Sequence, residues 1–294
     1  MSEKKLNLPD LRENVPLAPL TTMKVGGPAR YFLEAKTTES IVQAVHSAQE
    51  SGIPYVMLGG GSNVLISDEG FRGLVIRTKN VGYEFRGEKL VAEAGVPLIT
   101  LVMQSAKRNL LGLEWAAGIP GTLGGAVRGN AGSMGSDMQA IIDEVEILTR
   151  DGAKKTLSNK ECEFAYRNSR IKKNKETVLQ ATLKLRPGKT GEAQDKVKQN
   201  FSKKHSSQDL KHPSCGCMFT NPLPQHAGRL LEEAGLKGFQ IGGAKVSDVH
   251  ANFIINDGTA RAEDIVILIS AIKQKIRVKF GVQLHEEVQY IGFD

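Results

Sequence analysis

Apolar positions recur along the chain with two periods, and their alternation lays out an α+β protein. Tyr31 to Ala35 is a short apolar run that predicts a strand. From Thr38 the spacing turns helical, with Ile41, Val42, Val45 and Ala48 on one face and Gly52 as the stop. Tyr55 to Leu58, Val64 to Ser67 and Gly73 to Thr78 read as further strands, which makes a β-α-β unit with additions. Leu90 to Ala94 is strand-like. Pro97 then sits where a first helical position tolerates a missing N–H, ahead of a stripe of Leu98, Leu101, Val102, Ala106 and Leu110. Val145 to Thr149 and Val178 to Leu185 predict two more strands, with Asp151-Gly152 as a turn after the first.

Beyond Pro187-Gly188 the pattern changes. Gly191 to Gln208 is a polar, lysine-rich helix expected to bridge two parts of the molecule. Ala227 to Ala234 and Glu263 to Phe280 predict helices, the second burying Ile265, Leu268, Ile269, Ile272 and Ile276 and ending at Gly281. Phe239 to Ile241, Asn252 to Ile255 and Glu287 to Ile291 read as strands. Residues 1 to 20, with prolines at 9, 16 and 19, predict an extended or loosely helical arm. The expected organisation is a first lobe over 1–78, a second over 79–188, a compact α+β unit over 189–284 and a C-terminal strand over 285–294. There is no internal repeat and no low-complexity segment.

Two glycine-rich segments interrupt this pattern, GGGSN at Gly59 to Asn63 and GIPGTLGGAVRGNAG at Gly118 to Gly132. Most glycine clusters are only turns. Here, however, successive N–H groups can converge on an anion because no Cβ blocks the approach, and two such cradles point to a large phosphorylated cofactor. The first lies between two strands with no helix after it, so it is neither the dinucleotide loop that opens a helix nor a Walker loop, which needs Gly-Lys-Ser/Thr.

Composition narrows the classes. The 294 residues are 40% hydrophobic and 24% charged, ordinary for a soluble globular protein. The longest apolar run, Ile265 to Ile272, is far short of the roughly 20 residues that span a bilayer, and the N-terminus has no apolar signal region. A cytoplasmic protein with no membrane partner is the expectation. Three cysteines make no disulfide framework, and Cys162 reads as structural. The net charge of +7 is dispersed and aromatics are only 5%, so the stacking platforms of a nucleic-acid binder are missing. Attraction of nucleotide substrate and cofactor accounts for the charge more economically.

Several segments together carry a resemblance: TTMKVGGPA (Thr21 to Ala29), GLEWAAGIPGTLGGAV (Gly112 to Val127), NAG (Asn130 to Gly132), FAYRNSR (Phe164 to Arg170), PSCGCMFTNP (Pro213 to Pro222), AGRLLEEAGLKGFQIGGAKVSDVHANFIIN (Ala227 to Asn256) and LHEEVQYIG (Leu284 to Gly292). In order and over nearly the whole chain, they resemble the UDP-N-acetylenolpyruvoylglucosamine reductase family, whose FAD-binding fold is of the vanillyl-alcohol oxidase type. The resemblance implies a two-lobed FAD domain followed by a smaller α+β substrate-binding domain, with non-covalent FAD and NADPH as co-substrate. It implies reduction of UDP-N-acetylglucosamine enolpyruvate to UDP-N-acetylmuramate for peptidoglycan; a monomer is the expectation for the chain itself. No segment is spare for the extra tyrosine loop of longer members, so the chain looks like the shorter class.

Carried over residue by residue, the resemblance places FAD against Gly59, Gly60, Gly61, Ser62, Asn63, Ile119, Pro120, Gly121, Gly125, Asn130 and Gly132. It gives Arg167 the catalytic arginine's position, Cys217 that of a proton donor often serine in the family, and Glu287 that of the catalytic glutamate, with Glu286 one register away. A thiol with a reference pKa of about 8.5 is mostly protonated at pH 7 and can act as an acid unaided. An arginine suits a carboxylate because its fork binds both oxygens. Asn221, Arg229, Lys237 and His250 match substrate-binding positions. Thr220 stands where the family usually has a lysine, a departure that removes the basis for one charge-assisted contact. Cys215 is also a departure. A Cys-x-Cys pair can bind metal or form a strained disulfide, yet no paired Cys/His set accompanies it, so no metal is expected and Cys215 reads as incidental. An FAD-linked oxidase of an alcohol or sugar lactone is the competing enzyme class, and a non-enzymatic nucleotide-binding module leaves Cys217 and Glu287 without a role.

Overall fold

The computed structural model describes residues 6–209 and 211–293; the first five residues of the expected arm and the final residue of the expected C-terminal segment lie outside the described residues. Contacts group these into two compact units, one of residues 6–11, 32–60 and 74–204 and the other of residues 12–31, 61–73 and 205–293. Among the described residues no helix is long and apolar enough to cross a membrane.

The first unit is built on a five-stranded antiparallel sheet in the order Lys154–Ser158, Ile142–Leu148, Thr177–Lys184, Lys89–Glu93, Tyr83–Arg86. Its two edge strands expose most of their side chains, so they carry little apolar alternation and were not legible as strands. Helix α1 (Thr38–Ser51) forms where the 3.6-residue period predicts, started by a reciprocal cap between Thr37 and Ser40, and buries Ile41, Ala44, Val45 and Ala48. The strand Tyr55–Leu58 follows it and pairs in parallel with residues 74–77.

Helix α2 (Leu98–Lys107) is shorter than its apolar stripe suggests. The chain leaves the helix at Arg108 and Asn109, so Leu110 belongs to the strand Leu110–Leu111 instead. There Gly188 N–H and the strand Arg186–Pro187 hold the segment by backbone pairing. The second glycine segment also differs from a pure loop. It contains helix α3 (Leu123–Arg128), whose Leu123, Ala126 and Val127 sit at i, i+3 and i+4 and are buried in the unit's core. Helix α4 (Arg170–Lys173) is a single turn, capped by Ser169. The lysine-rich helix is α5 (Glu192–Ser207); its residues 192–204 belong to the first unit and 205–207 to the second, and it buries Ala193, Val197 and Lys204.

The second unit packs helices α6 (Ala227–Glu233) and α7 (Ala262–Phe280) with a four-stranded antiparallel sheet in the order Ser214–Cys217, Phe253–Asn256, Ala244–Val246, Gln240–Ile241. Ser214–Cys217 is thus an edge strand with a bulge rather than the turn its composition suggests. The face of α7 is the one read from the sequence, Ile265, Leu268, Ile269, Ile272 and Ile276, all at most 2% exposed. A separate parallel pair joins Val64–Ile66 to the last strand, Gln289–Ile291, which leaves Glu287 just outside the strand.

The start of α7 is capped from far away in sequence. Both carboxylate oxygens of Asp68 accept its first N–H groups, from Ala262 at 3.0 Å and Glu263 at 3.1 Å. A carboxylate here satisfies orphan donors and meets the positive end of the helix. Asp68→Ala should therefore lower stability by about 1 kcal/mol and speed amide exchange at Ala262 and Glu263 while leaving the first unit's amides unchanged. Unaltered exchange at those two amides would remove the cap from the account of this helix.

Candidate active site

In the first unit the two glycine segments approach each other through bare backbone. A Cβ on Gly60 would lie 2.7 Å from Gly121 Cα, a separation that real Cβ atoms do not show, so no side chain is tolerated there. The second segment is fixed at this point by backbone pairing, Leu98 N–H to Gly121 O at 3.0 Å, Leu123 N–H to Val96 O at 2.9 Å and Gly124 N–H to Ala94 O at 2.8 Å. Among the described residues, the N–H groups of Gly59 and Gly60 donate to no protein acceptor. Close-packed glycines with free N–H groups fit the pyrophosphate of a dinucleotide cofactor.

Other residues of the same segment have structural work. Asn130 gives its side-chain amide to Asp137 and to Ala165 O, both at 3.1 Å, and takes Gln139 N–H at 3.0 Å, so its side chain shapes the loop. Ile119 packs against the core, whereas Gly125 is exposed on α3, where a Cβ would meet nothing nearer than Thr122 Oγ1 at 3.7 Å.

Arg167 is half-buried and sits at the end of this glycine segment, its Nη1 donating to Gly132 O at 3.1 Å. Its backbone is left-handed, at φ 54°, and its carbonyl accepts Lys172 Nζ at 3.1 Å. Strained backbone at a non-glycine residue is retained where the side chain's placement matters. Arg170, the neighbour that residue type alone cannot distinguish, is paired with Glu176 at 3.3 Å.

The second unit brings Cys217, Glu287 and Asn63 together. Residues 285–287 run beside 218–220, with Glu287 N–H to Met218 O at 2.8 Å and Thr220 N–H to His285 O at 2.9 Å. Asn63 then takes Gln289 N–H at 3.0 Å on its carbonyl and gives its side-chain amide to Glu287 O at 3.4 Å. The two carboxylates that the sequence leaves one register apart are separated by this arrangement, because Glu286 is held by Lys273 Nζ at 2.9 and 3.1 Å. Cys215 points into the core at 4% exposure, and burial pushes its thiol up to about 12; Cys217, two residues on, is half-buried. Cys162 is fully buried in the first unit, its thiol raised to about 11 mainly by burial.

The four positions matched to substrate binding also lie in the second unit. Asn221 accepts Ala227 N–H at 3.0 Å and so caps α6. His250 is half-buried, 4.7 Å from the Phe253 ring, and takes Asn252 N–H on Nδ1 at 3.2 Å, which leaves the proton of the neutral ring on Nε2. Burial, and then the charge of Lys237, lower its pKa, so it is a neutral donor at pH 7. Lys237 is bonded to Glu232 at 2.7 Å and Arg229, its side chain 77% exposed, to Glu233 at 2.6 Å. Either cation must exchange a carboxylate for a phosphate before it can hold one.

One buried cation escaped the sequence reading. Lys204 is 6% exposed, on the face of α5 that also carries Ala193, Val197 and Asn200. Its helical spacing from two small apolar residues was the available signal, hidden among the exposed lysines of the same helix.

Known proteins share this organisation. Residues 29–158 match an FAD binding domain family and residues 208–291 match the C-terminal domain of UDP-N-acetylenolpyruvoylglucosamine reductase. The chain is 40% identical to the UDP-N-acetylenolpyruvoylglucosamine reductase of Halalkalibacterium halodurans over 99% of its length and 97% of that protein. It is 43% identical to the enzyme so named from a Synechococcus species, over 96% of this chain and 91% of that one. The crystal structure of the Thermus caldophilus UDP-N-acetylenolpyruvylglucosamine reductase superposes with a TM-score of 0.83 at 35% identity, covering 96% of this chain and 99% of the other. With near-complete coverage by relatives about 40% identical, the chain belongs to the UDP-N-acetylenolpyruvoylglucosamine reductase family.

Proposed function

We propose that this chain reduces UDP-N-acetylglucosamine enolpyruvate to UDP-N-acetylmuramate with NADPH, in the synthesis of peptidoglycan precursors, as a monomer in the cytoplasm. The observation that carries the reading is the backbone pairing that sets Glu287 beside Met218 and Asn63, next to Cys217 and the first glycine loop. Its agreement with the substrate named for the relatives supports the rest. FAD, when bound, would supply the hydride chemistry that links NADPH to the enolpyruvyl double bond. Gly59 to Asn63 and Ile119 to Gly132 hold that cofactor, largely through backbone.

The chain's own groups handle the charge and the proton. Arg167, aligned by Gly132 O and Lys172, binds the enolpyruvyl carboxylate and stabilises negative charge as it develops there. Cys217 gives its thiol proton to the carbon that bears the carboxylate. Glu287 hydrogen-bonds the enolic acid that precedes this protonation, a task left to it because Glu286 is engaged by Lys273. His250 offers Nε2–H to the nucleotide-sugar, with Asn221, Lys237 and Arg229 around α6.

Three experiments test these assignments. Gly125 has room for a side chain in the protein itself, so Gly125→Leu is expected to fold normally and purify without flavin, whereas Gly60→Leu should also disturb the loop. Full flavin content in Gly125→Leu would move the cofactor off α3. Arg167→Lys keeps the charge and loses the fork, so substrate-driven flavin reoxidation should slow about 10-fold or more with little change in reduction by NADPH. Equal slowing of both half-reactions would make Arg167 structural. Cys217→Ser should retain appreciable turnover and Cys217→Ala should lose about 10²- to 10⁴-fold, while Cys215→Ala keeps its activity. A Cys217→Ala enzyme at the wild-type rate in stopped-flow reoxidation removes the thiol from the reaction.

A further inference from the structure

Asn252 is 3% exposed, and its backbone and side-chain polar groups are all used beside residues assigned to the reaction. Its carbonyl accepts Met218 N–H at 2.7 Å, and its own N–H donates to His250 Nδ1 at 3.2 Å. Its side-chain oxygen accepts Phe219 N–H at 3.0 Å, and its side-chain nitrogen donates to Phe219 O at 2.8 Å. The strand Ser214–Cys217 is bulged, and its continuation leaves regular pairing. Successive N–H groups of a regular strand point to opposite sides, so a partner's backbone takes only alternate ones. Here Met218 and Phe219 both turn theirs to Asn252, and the carboxamide stands in for the peptide group that the partner strand lacks. An ionised carboxylate only accepts, and an aliphatic side chain does neither. Phe219 is 1% exposed, so without this partner its N–H and C=O are both stranded away from water.

We propose that Asn252 is a positioning residue for Cys217. The inference rests on the proton transfer proposed above and adds to it the group that sets where the thiol stands. Cys217 is held from one direction by its pairing with Phe253 and from the other by Met218 and Phe219, both fastened to Asn252. Met218 O in turn accepts Glu287 N–H at 2.8 Å, so the clamped segment also carries the backbone of the glutamate. A proton donor acts only within hydrogen-bond reach of the atom it serves, and a small displacement of its backbone is felt directly in the rate. With its side chain buried and turned to Phe219, Asn252 acts through this segment and not on the substrate. Its contact to His250 is made by the backbone N–H, which any substitution except proline keeps, so the two tasks are separable.

The test compares FAD-loaded wild type with Asn252→Leu, which removes both side-chain bonds at similar volume, and Asn252→Asp, which keeps the shape and the acceptor but loses the donor. Asn252→Asp carries the test if Asn252→Leu does not fold. Each substitution is also combined with Cys217→Ala. Flavin reduction by NADPH, substrate binding by perturbation of the flavin spectrum and the limiting rate of substrate-driven reoxidation are followed. Alkylation of Cys217 by iodoacetamide is measured beside them, Cys162 and Cys215 being buried. Both variants should be reduced by NADPH and bind substrate as wild type does, because His250 keeps its backbone donor. Reoxidation should slow about 10- to 100-fold, and alkylation of Cys217 should quicken several-fold. In the Cys217→Ala background the same substitutions should slow reoxidation little further. Reoxidation and alkylation both at wild-type rates overturn the inference, as does an equal slowing in the Cys217→Ala background, which would make Asn252 a general support. Weakened substrate binding at an unchanged limiting rate also overturns it, by assigning Asn252 to the His250 loop. A Cys217→Ala enzyme reoxidised at the wild-type rate would instead defeat the proton transfer proposed above; the placement of Cys217 by Asn252 would then stand on faster alkylation in the Asn252 variants and fall on unchanged alkylation.

Discussion

Five residues, Gly59 to Asn63, constrain each unit through its own backbone contacts. In the first unit, Gly60 meets Gly121 so closely that a single methyl group would force them apart. In the second, Asn63 takes the N–H of Gln289 and donates to Glu287 O, which sets the register of the last strand and with it the position of the glutamate. The first constraint acts through backbone alone and the second through the Asn63 carbonyl and its side-chain amide. That leaves the glycine N–H groups available to an anion and explains why so long a stretch of chain converges on so few residues.

Charge is arranged on a second principle. Most of the basic residues around the site are matched with acids, as in Arg170 with Glu176, Lys273 with Glu286, Lys237 with Glu232 and Arg229 with Glu233. Exposed pairs of this kind add little stability, but they take a cation or a carboxylate out of contention for ligand. Arg128 and Lys204 also lose water to burial, with a lowered pKa in each case. The net charge of +7 favours the approach of the anions that the proposed reaction brings.

Helices and buried strands were legible because their signal is local. The stripes of α1 and α7 fall on the faces the spacing predicts, and the loop between Leu58 and Val64 is flanked by two strands as read. The reading failed where a second influence outweighed periodicity. Glycine content hid α3 although Leu123, Ala126 and Val127 carry helical spacing, and Leu110 continued the stripe of α2 beyond the point where backbone pairing ends that helix. Tyr83–Arg86 and Lys154–Ser158 are edge strands with mostly exposed side chains, and Ser214–Cys217 looks like a turn because its bulge needs turn-forming residues.

The sequence by itself determined the fold class, the two glycine segments and the family to which its ordered motifs belong, since these rest on residue type and spacing along one chain. Tertiary structure alone decided between near-identical candidates. Glu286 and Glu287 differ by one position, and only Lys273, brought up by α7, takes the first out of contention. Arg167 and Arg170 differ by three, and Glu176 takes the latter. The lysines of α5 are alike in sequence, and one becomes special because the helix end packs on Gly118 and shuts water out of Lys204 alone. Which charged group is matched, and which is buried, depends on neighbours distant in sequence, and that information exists only once the chain has folded.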